Sequence, residues 1–208
     1  MSSALATRRP RFRIYADAGP GAVPPAHGKD DISRELRNVV VYVGSDAANV
    51  LPANASASNA DSLPPVMSQT NERFEPHVLP VVQGARVSFP NRDDVYHNVF
   101  SLSSTRTFDL GRYPKGDAKT VTFTKAGVVQ VFCHIHSDMS GVVLVLSNPF
   151  FTAPDSSGRY SIENVPAGEY TVVGWHERTK PVTRRVRVVA GATTTINFSL
   201  PLGPRSEP

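Results

Sequence analysis

Short apolar segments separated by turn residues make up most of the chain from Val66 onward. No apolar repeat of helical period persists in this part, and the segments have the length and the β-branched content of strands. Glycine, proline, asparagine and aspartate separate them, as is typical of turns. The strands predicted before Pro149 are residues 78–82, 85–89, 95–102, 120–123, 128–132 and 142–146. This pattern predicts an antiparallel β-sandwich or barrel.

A second pattern of short strands begins after Pro149. Turn sequences divide it into strands predicted at residues 160–162, 170–175, 182–189 and 193–200. A further β-branched run, residues 37–43, lies far upstream, behind a polar segment that is interrupted by proline and glycine. Residues 45–65 are rich in alanine, asparagine, serine and proline, which is typical of a loop or linker. The sequence therefore predicts an all-β protein with two parts.

The composition is ordinary, but it narrows the chemistry. Of 208 residues, 40% are hydrophobic and 19% are charged, which is typical of folded domains. The single cysteine excludes an internal disulfide and any metal cluster that needs several cysteines. No apolar run has the length of a membrane-spanning helix. The net charge is +4 and the basic residues are scattered, so nucleic-acid binding is not favoured.

The single cysteine lies in a segment that carries other soft metal ligands. The spacing Cys133-x-x-His136-x-x-Met139 places a thiolate, an imidazole and a thioether at the end of a predicted strand. Soft ligands select copper, and two histidines and one cysteine with a weak axial methionine form the blue-copper arrangement. The second histidine has to come from elsewhere. His97, near the start of a predicted strand, is the best candidate.

These residues resemble the cupredoxins, most closely plastocyanin and amicyanin, over about residues 66–147. The matching motifs are Phe74-x-Pro76, Gly84, Phe89, Asn91, His97-Asn98-Val99, Thr120-Val-Thr-Phe123, Gly127, Phe132-Cys133 and Met139-x-Gly141. Two residues separate the second histidine from the methionine, as in amicyanin. The resemblance implies a cupredoxin Greek-key β-sandwich that binds one copper ion.

The resemblance also implies a role for each residue of the candidate site. The equatorial copper ligands would be His97, Cys133 and His136. Met139 would be the weak axial ligand, and Asn98 would form a hydrogen bond near the ligand loop and the thiolate. His134 follows Cys133 directly, so in an extended segment its side chain points to the opposite face, where we expect it to be exposed or hydrogen-bonded.

Two other features near these motifs allow more than one interpretation. His77 falls where the cupredoxin pattern has no ligand, and a second metal site at His77 or His134 is a less favoured alternative. Residues 108–116 mix aromatic, basic and glycine residues. We favour a connection between the sheets, with one phenylalanine in the core, over a docking loop beside the copper.

Residues 149–200 resemble a different family, the carboxypeptidase-regulatory and transthyretin-like β-sandwich modules. The matching motif is Pro154-Asp-x-x-Gly158-x-Tyr160-x-Ile162-x-x-Val165-Pro-x-Gly168-x-Tyr170-x-Val172. Such modules are mostly structural or interaction units. Some chains that join a copper domain to one of them are labelled methylamine-utilisation proteins, a label that suggests a pathway and identifies no partner.

The C-terminal part has too few predicted strands to close a sandwich by itself. We therefore predict that the copper domain is inserted into this sandwich, so that strands near residues 12–16 and 37–43 pair with strands of residues 158–200. In the rival interpretation, residues 37–43 form an added first strand of the copper domain. The predicted boundaries are 1–9 for a flexible N-terminus, 10–63 for the N-terminal strands and first half of a discontinuous sandwich, 64–148 for the cupredoxin domain, 149–203 for the second sandwich and 204–208 for a tail.

The function predicted from these features is that of a mononuclear type 1 copper protein. It would carry single electrons between a donor and an acceptor redox protein, and it would not be an enzyme. A copper carrier or storage protein with the same ligands is one alternative. Another is a red-copper-like protein with an open catalytic position and a carboxylate ligand, for which Asp138 is the candidate. No signal peptide is visible after Met1, but cupredoxins are generally exported, so the resemblance implies a periplasmic or other extracytoplasmic location.

Overall fold

A computed structural model of the protein describes residues 12–16, 29–45 and 64–203, with the backbone alone described for residues 12–16 and 29–31. The described residues form one short helix, α1 (Lys29–Arg37), and fifteen strands. The strands are β1 (Phe12–Ala16), β2 (Val40–Val43), β3 (Ser68–Thr70), β4 (Arg73–Glu75), β5 (Val78–Val82), β6 (Arg86–Pro90), β7 (His97–Ser103), β8 (Arg106–Tyr113), β9 (Ala118–Thr122), β10 (Gly127–Phe132), β11 (Ser140–Leu146), β12 (Phe151–Thr152), β13 (Gly168–Trp175), β14 (Val182–Val188) and β15 (Phe198–Leu202). The predicted all-β fold class, with sandwich-like sheets, is confirmed. Within the described residues, no helix is long and apolar enough to cross a membrane.

The chain divides into two compact units. The central unit is Ala53–Pro149, and the split unit combines Met1–Pro52 with Phe150–Glu207. In the split unit, the sheet order is β12-β2-β13-β14, and β1 pairs in parallel with β15. Val43 of β2 faces Val172 of β13, so strands from before and after the central unit share one sheet.

The central unit contains a five-stranded sheet of order β5-β11-β10-β7-β8 and the two strand pairs β3–β4 and β6–β9. Single bridges join the two pairs, at Val66 with Ser88 and at Gln69 with Asn91. The prediction of an antiparallel sheet is wrong for one pair, because β5 and β11 run parallel. Five strands lie between them in the chain, and such a long connection allows the return in the same direction that parallel pairing needs.

Alternating buried and exposed side chains show which face of each strand packs into the core of the central unit. Along β10, Val129 and Val131 are buried whereas Val128 and Gln130 are exposed, which is the two-residue period of a strand with one face in the core. The largest fully buried side chains of this core are Met67, Phe74, Phe89, Tyr113, Phe123 and Met139. The end of β10, where Cys133 follows, is therefore held between packed side chains.

Residues 108–116 differ from the prediction, because most of them belong to strand β8 and not to a loop. The pairing of β8 with β7 shifts register between Asn98 and Phe100, and Gly111 has a positive φ of 63°. A bulge of this kind lets a strand continue through glycine, so the glycine alone did not mark a strand end. The expected core phenylalanine is Phe108, whose ring centroid lies 6.2 Å from that of Phe123.

Three segments of the split unit also differ from the prediction, and one of them is the strand predicted at residues 193–200, because β15 begins only at Phe198. The N-terminal segment, which has a polar sequence interrupted by proline and glycine, contains α1, whose Leu36 is buried in the core. Residues 160–162 form no strand, although Tyr160 and Ile162 pack against this core. An alternating pattern reports which side chains are buried, whereas a strand also needs a backbone partner, and the pattern alone does not supply it.

Candidate metal centre

Two neighbouring strands and one loop bring three soft donor atoms together. His97 begins β7 and Cys133 follows the end of β10, and these antiparallel strands are paired at Phe100 and Phe132. The Sγ atom of Cys133 lies 3.8 Å from Nδ1 of His97 and 3.8 Å from Nδ1 of His136. The two Nδ1 atoms lie 3.1 Å apart. Within the part of the chain that the structure describes, these residues form a group able to hold a metal ion.

The separations and the donor types fit one shared ion. Nitrogen and sulfur atoms that bind the same metal at about 2.0–2.3 Å lie on the order of 3–4 Å from one another. His97 is fully buried and Cys133 is 5% exposed, whereas His136 is only half-buried. A thiolate with two imidazoles suits copper better than it suits hard cations such as magnesium or calcium.

The loop of residues 133–139 is closed by its own backbone. The amide of Cys133 donates to the carbonyl of Met139 at 3.2 Å, and the amide of Met139 donates to the carbonyl of His136 at 3.1 Å. Met139 is 1% exposed and belongs to the same core cluster as Cys133. The structure thus places Met139 at the exit of the loop, and ligation through its sulfur stays a prediction.

Asn98 and Asp109 hold the beginning of the loop from the neighbouring strands. Oδ1 of Asn98 accepts a hydrogen bond from the amide of His134 at 3.4 Å, and Nδ2 donates to Oδ1 of Asp109 at 2.6 Å. The amide of Gly111 lowers the pKa of Asp109 below its ordinary value, and the bond from Asn98 and the nearby charges of His134 and Lys119 act in the same direction. Asn98 therefore connects β7 to the residue that follows Cys133.

Asp93 orients the ligand candidate on β7. Its Oδ2 atom lies 2.8 Å from Nε2 of His97, which leaves Nδ1 to face the sulfur. The same carboxylate accepts hydrogen bonds from the amides of Asn71 at 2.6 Å and Glu72 at 2.8 Å. Burial by itself would raise the pKa of Asp93, but these hydrogen bonds and the interaction with His97 lower it. A carboxylate that binds the far nitrogen of a histidine fixes its ring and its tautomer.

Sequence reasoning missed Asp93. It is separated from His97 by three residues in a loop with a second aspartate, Asp94, and no spacing rule distinguishes the two. Asp94 forms an ion pair with Lys115 at 2.7 Å. Only the course of the loop decides which of the two carboxylates meets the imidazole.

His134 and His77 have other contacts. The His134 side chain is 55% exposed, and its ring stacks on Phe100 with centroids 3.7 Å apart and an interplanar angle of 3°. Its Nε2 atom lies 3.8 Å from Oδ2 of Asp109. Nδ1 of His77 lies 3.0 Å from the carbonyl oxygen of Ser140. Neither histidine belongs to a metal-ligand group within the described residues.

The half-buried His136 lies at an apolar part of the surface. A hollow of about 520 Å³ is lined by Val95, Tyr96, Arg112, Ile135 and His136. Tyr96 is 58% exposed, Val95 43% and Ile135 38%. One donor atom of the cluster therefore belongs to a side chain that reaches an apolar surface.

One family model and several solved structures are similar to this chain. The family model described as the carboxypeptidase regulatory-like domain matches residues 138–201. A variant of amicyanin in its reduced Cu(I) form at pH 4 is 29% identical over 43% of this chain and 88% of its own, with a TM-score of 0.38. A second reduced amicyanin variant is 29% identical over 50% of this chain and 97% of its own, also with a TM-score of 0.38. No curated protein sequence matches the chain significantly.

Proposed function

We propose that this protein is a mononuclear type 1 copper protein that carries single electrons between redox partners. The observation that supports this most directly is the convergence of Sγ of Cys133 with Nδ1 of His97 and Nδ1 of His136, at separations of 3.1–3.8 Å. Bound copper would supply the redox chemistry, since it alternates between Cu(II) and Cu(I) and so accepts and releases one electron.

The chain itself would keep the site in one arrangement. His97, Cys133 and His136 would hold the ion, with Met139 as a weak fourth ligand. The Asp93 carboxylate holds the ring of His97, and Asn98 holds the backbone just after Cys133. Ligands that are already positioned need little rearrangement when the metal changes its charge, which favours rapid electron transfer over chemistry on a substrate. We therefore propose that the protein is not an enzyme.

The exposed edge of His136 would be where electrons enter or leave. Its apolar surroundings, Val95, Tyr96 and Ile135, can lose water on contact with another protein, and that burial favours association. The partners would be a donor and an acceptor redox protein. The sequence resembles the cupredoxins, which are generally exported, and we therefore propose a periplasmic or other extracytoplasmic location. Sequencing the mature N-terminus from the native host tests that location.

Copper titration of the metal-free protein tests the proposed site. One equivalent of Cu(II) should produce an intense visible thiolate-to-copper charge-transfer band. Stoichiometric binding without such a band would show that the blue-copper assignment is wrong, and a red product would favour a carboxylate ligand. Asp138 is the neighbouring carboxylate, and it is exposed and accepts a hydrogen bond from Ser137 at 3.1 Å.

Repeated reduction and oxidation separates an electron carrier from a metal carrier. An electron carrier should keep its copper through many cycles in the presence of a Cu(I) chelator. A copper carrier or storage protein should lose the metal to the chelator in the reduced state. The same sample serves for both measurements, since the visible band reports how much Cu(II) is bound after each reoxidation.

A further inference from the structure

One hairpin of the central unit contacts both segments that carry the candidate ligands. Strands β3 and β4 and the two residues after them, residues 68–77, are called the clamp hairpin here. On the side of His97, the amide of Arg92 donates to the carbonyl of Gln69 at 2.9 Å, and the hairpin amides of Asn71 and Glu72 donate to Asp93. The hairpin is thus attached to the loop that leads into β7.

The other end of the clamp hairpin is attached to the exit of the ligand loop. The carbonyl of His77 accepts a hydrogen bond from the amide of Val142 at 2.7 Å. Nδ1 of the same histidine lies 3.0 Å from the carbonyl oxygen of Ser140. A carbonyl only accepts hydrogen bonds, so Nδ1 carries the hydrogen and donates it. His77 therefore binds the first and third residues of β11.

Close packing supports these two hydrogen bonds. A Cβ atom added to Gly141 would lie 3.0 Å from Cβ of Phe74 and 3.1 Å from the carbonyl oxygen of His77. The backbone of β11 thus lies directly against the clamp hairpin at the residue between Ser140 and Val142. There is little room for the exit of the ligand loop to move towards the hairpin.

We propose that His77 is a positioning residue of the metal centre. Ser140 follows Met139, and the carbonyl of Met139 accepts the amide hydrogen of Cys133. By holding the Ser140 carbonyl, the imidazole of His77 fixes the peptide groups around Met139 and, through the hydrogen bond to Cys133, the end of β10. His77 acts through the backbone, and not as a ligand of a second metal ion. The copper-dependent part of this inference rests on the proposed function.

Three variants of the full-length protein test this role. His77→Phe keeps a ring but removes the N–H donor. His77→Asn keeps a donor, because the Asn Nδ2 atom is separated from Cβ by the same number of bonds as Nδ1 of histidine. Arg73→Gln changes an exposed residue of the same hairpin and is the matched control. Should His77→Phe fail to fold, His77→Gln replaces it, since its amide nitrogen lies one bond further out.

Amide hydrogen exchange in the metal-free protein is the first measurement. In His77→Phe, the amides of Cys133 and Met139 should exchange on the order of tenfold faster than in the parent, because local opening of the loop becomes easier. His77→Asn and Arg73→Gln should exchange like the parent. Equal exchange in all variants, or equally fast exchange in His77→Phe and His77→Asn, would overturn the proposed role of the N–H group.

The copper-loaded protein provides the second measurement. The reduction potential and the Cu(II) paramagnetic resonance spectrum should change in His77→Phe and return to the parent values in His77→Asn. A purely structural role would lower the thermal stability but leave the paramagnetic resonance spectrum and the reduction potential unchanged, and that result would also overturn the inference. If the parent protein itself forms no blue copper site, the proposed function fails, and the hydrogen-exchange result alone decides the role of His77.

Discussion

The four predicted ligands should differ in what their loss does to the copper site. Cys133→Ser should abolish the visible band, because the soft thiolate is lost. His97→Ala should weaken copper binding or open the site to external ligands. Met139→Leu should keep the band and raise the reduction potential, since a weak axial bond tunes the metal more than it holds it. Titration with copper, absorption spectroscopy and voltammetry measure these effects.

His134 supplies the internal control for this series. Its ring stacks on Phe100, so His134→Ala should leave the copper stoichiometry and the visible band nearly unchanged. His136→Ala, only two positions away, should weaken binding strongly. Loss of copper in the His134 variant but not in the His136 variant would show that the two histidines have been assigned the wrong roles.

A pair of neighbouring aspartates tests the support of His97. Asp93→Asn keeps the size of the side chain but weakens the bond to Nε2, so copper binding should weaken about 10–100-fold. Asp94→Asn removes one charge from the same loop but changes only the surface pair with Lys115, so affinity should stay the same. Equal effects of the two substitutions would mean that charge near the site matters and orientation does not. Isothermal titration calorimetry with copper measures the affinity of both variants and distinguishes these outcomes.

The buried Tyr160 should affect how the stability of the protein changes at alkaline pH. Burial raises the pKa of Tyr160 to about 12, from an ordinary value of 10.0, and its hydroxyl donates to the carbonyl of Ile196 at 2.8 Å. The unfolded chain releases this proton first, so the contribution of Tyr160 is complete below pH 10 and is lost as the pH rises towards about 12. Tyr160→Phe should therefore make the free energy of unfolding fall less steeply over this range.

Denaturant unfolding at several pH values measures this effect. At neutral pH the same substitution should cost roughly 0.5–1.5 kcal/mol, the net value of one hydrogen bond. Tyr96→Phe is the control, because Tyr96 is 58% exposed. An unchanged alkaline slope in Tyr160→Phe would contradict the raised pKa.

At the scale of elements, the start of β11 should tolerate very little extra volume. Gly141→Ala would bring a methyl group to 3.0 Å from Cβ of Phe74, within the central core. Overpacking of this kind costs about 1–3 kcal/mol, so the unfolding midpoint should fall. Ser140→Ala is the control, since Ser140 contacts His77 through its backbone carbonyl. Equal stability of the two variants would show that β11 can move away from the hairpin.

Strands were predictable where side chains alternate between core and solvent, as in β10, but the exact partner and register of each strand were not. Gly111 lies in residues 108–116, which the sequence predicts as a connection between sheets, but the bulge between β7 and β8 accommodates it within a strand. Tyr160 and Ile162 alternate like a strand and bury their side chains without joining a sheet. Local sequence specifies which side chains are apolar, whereas backbone pairing depends on which segment lies alongside.

At the scale of the whole molecule, the insertion hypothesis predicts different behaviour for two fragments. In the split unit, β2 pairs with both β12 and β13, and β1 pairs with β15. A fragment of residues 149–208 lacks β1 and β2 and should not fold, because its apolar strands lose the partners that bury them. A fragment of residues 64–148 should fold and bind copper. Circular dichroism and copper titration test both expectations.

Cooperative unfolding of the 149–208 fragment would contradict the insertion hypothesis and favour a separate C-terminal module. Failure of the 64–148 fragment to fold would show that the central unit depends on the split unit. Co-expression of residues 149–208 with residues 1–52 is a further control, because it returns β1 and β2 to the fragment. The predicted domain boundaries stay predictions until these fragments are compared.

The sequence by itself determined the all-β fold class and the candidate donors. The alternating apolar positions and the spacing of Cys133, His136 and Met139 on one loop are both local properties. The sequence alone therefore predicts them. Only the tertiary structure decided that Asp93 rather than Asp94 meets His97, and that His77 meets the Ser140 carbonyl. These contacts depend on which backbone segments the fold brings side by side, and no local sequence pattern specifies that. The sequence predicted that residues 37–43 pair with strands of residues 158–200, but only the folded chain shows that the partner is β13 and that Val43 faces Val172.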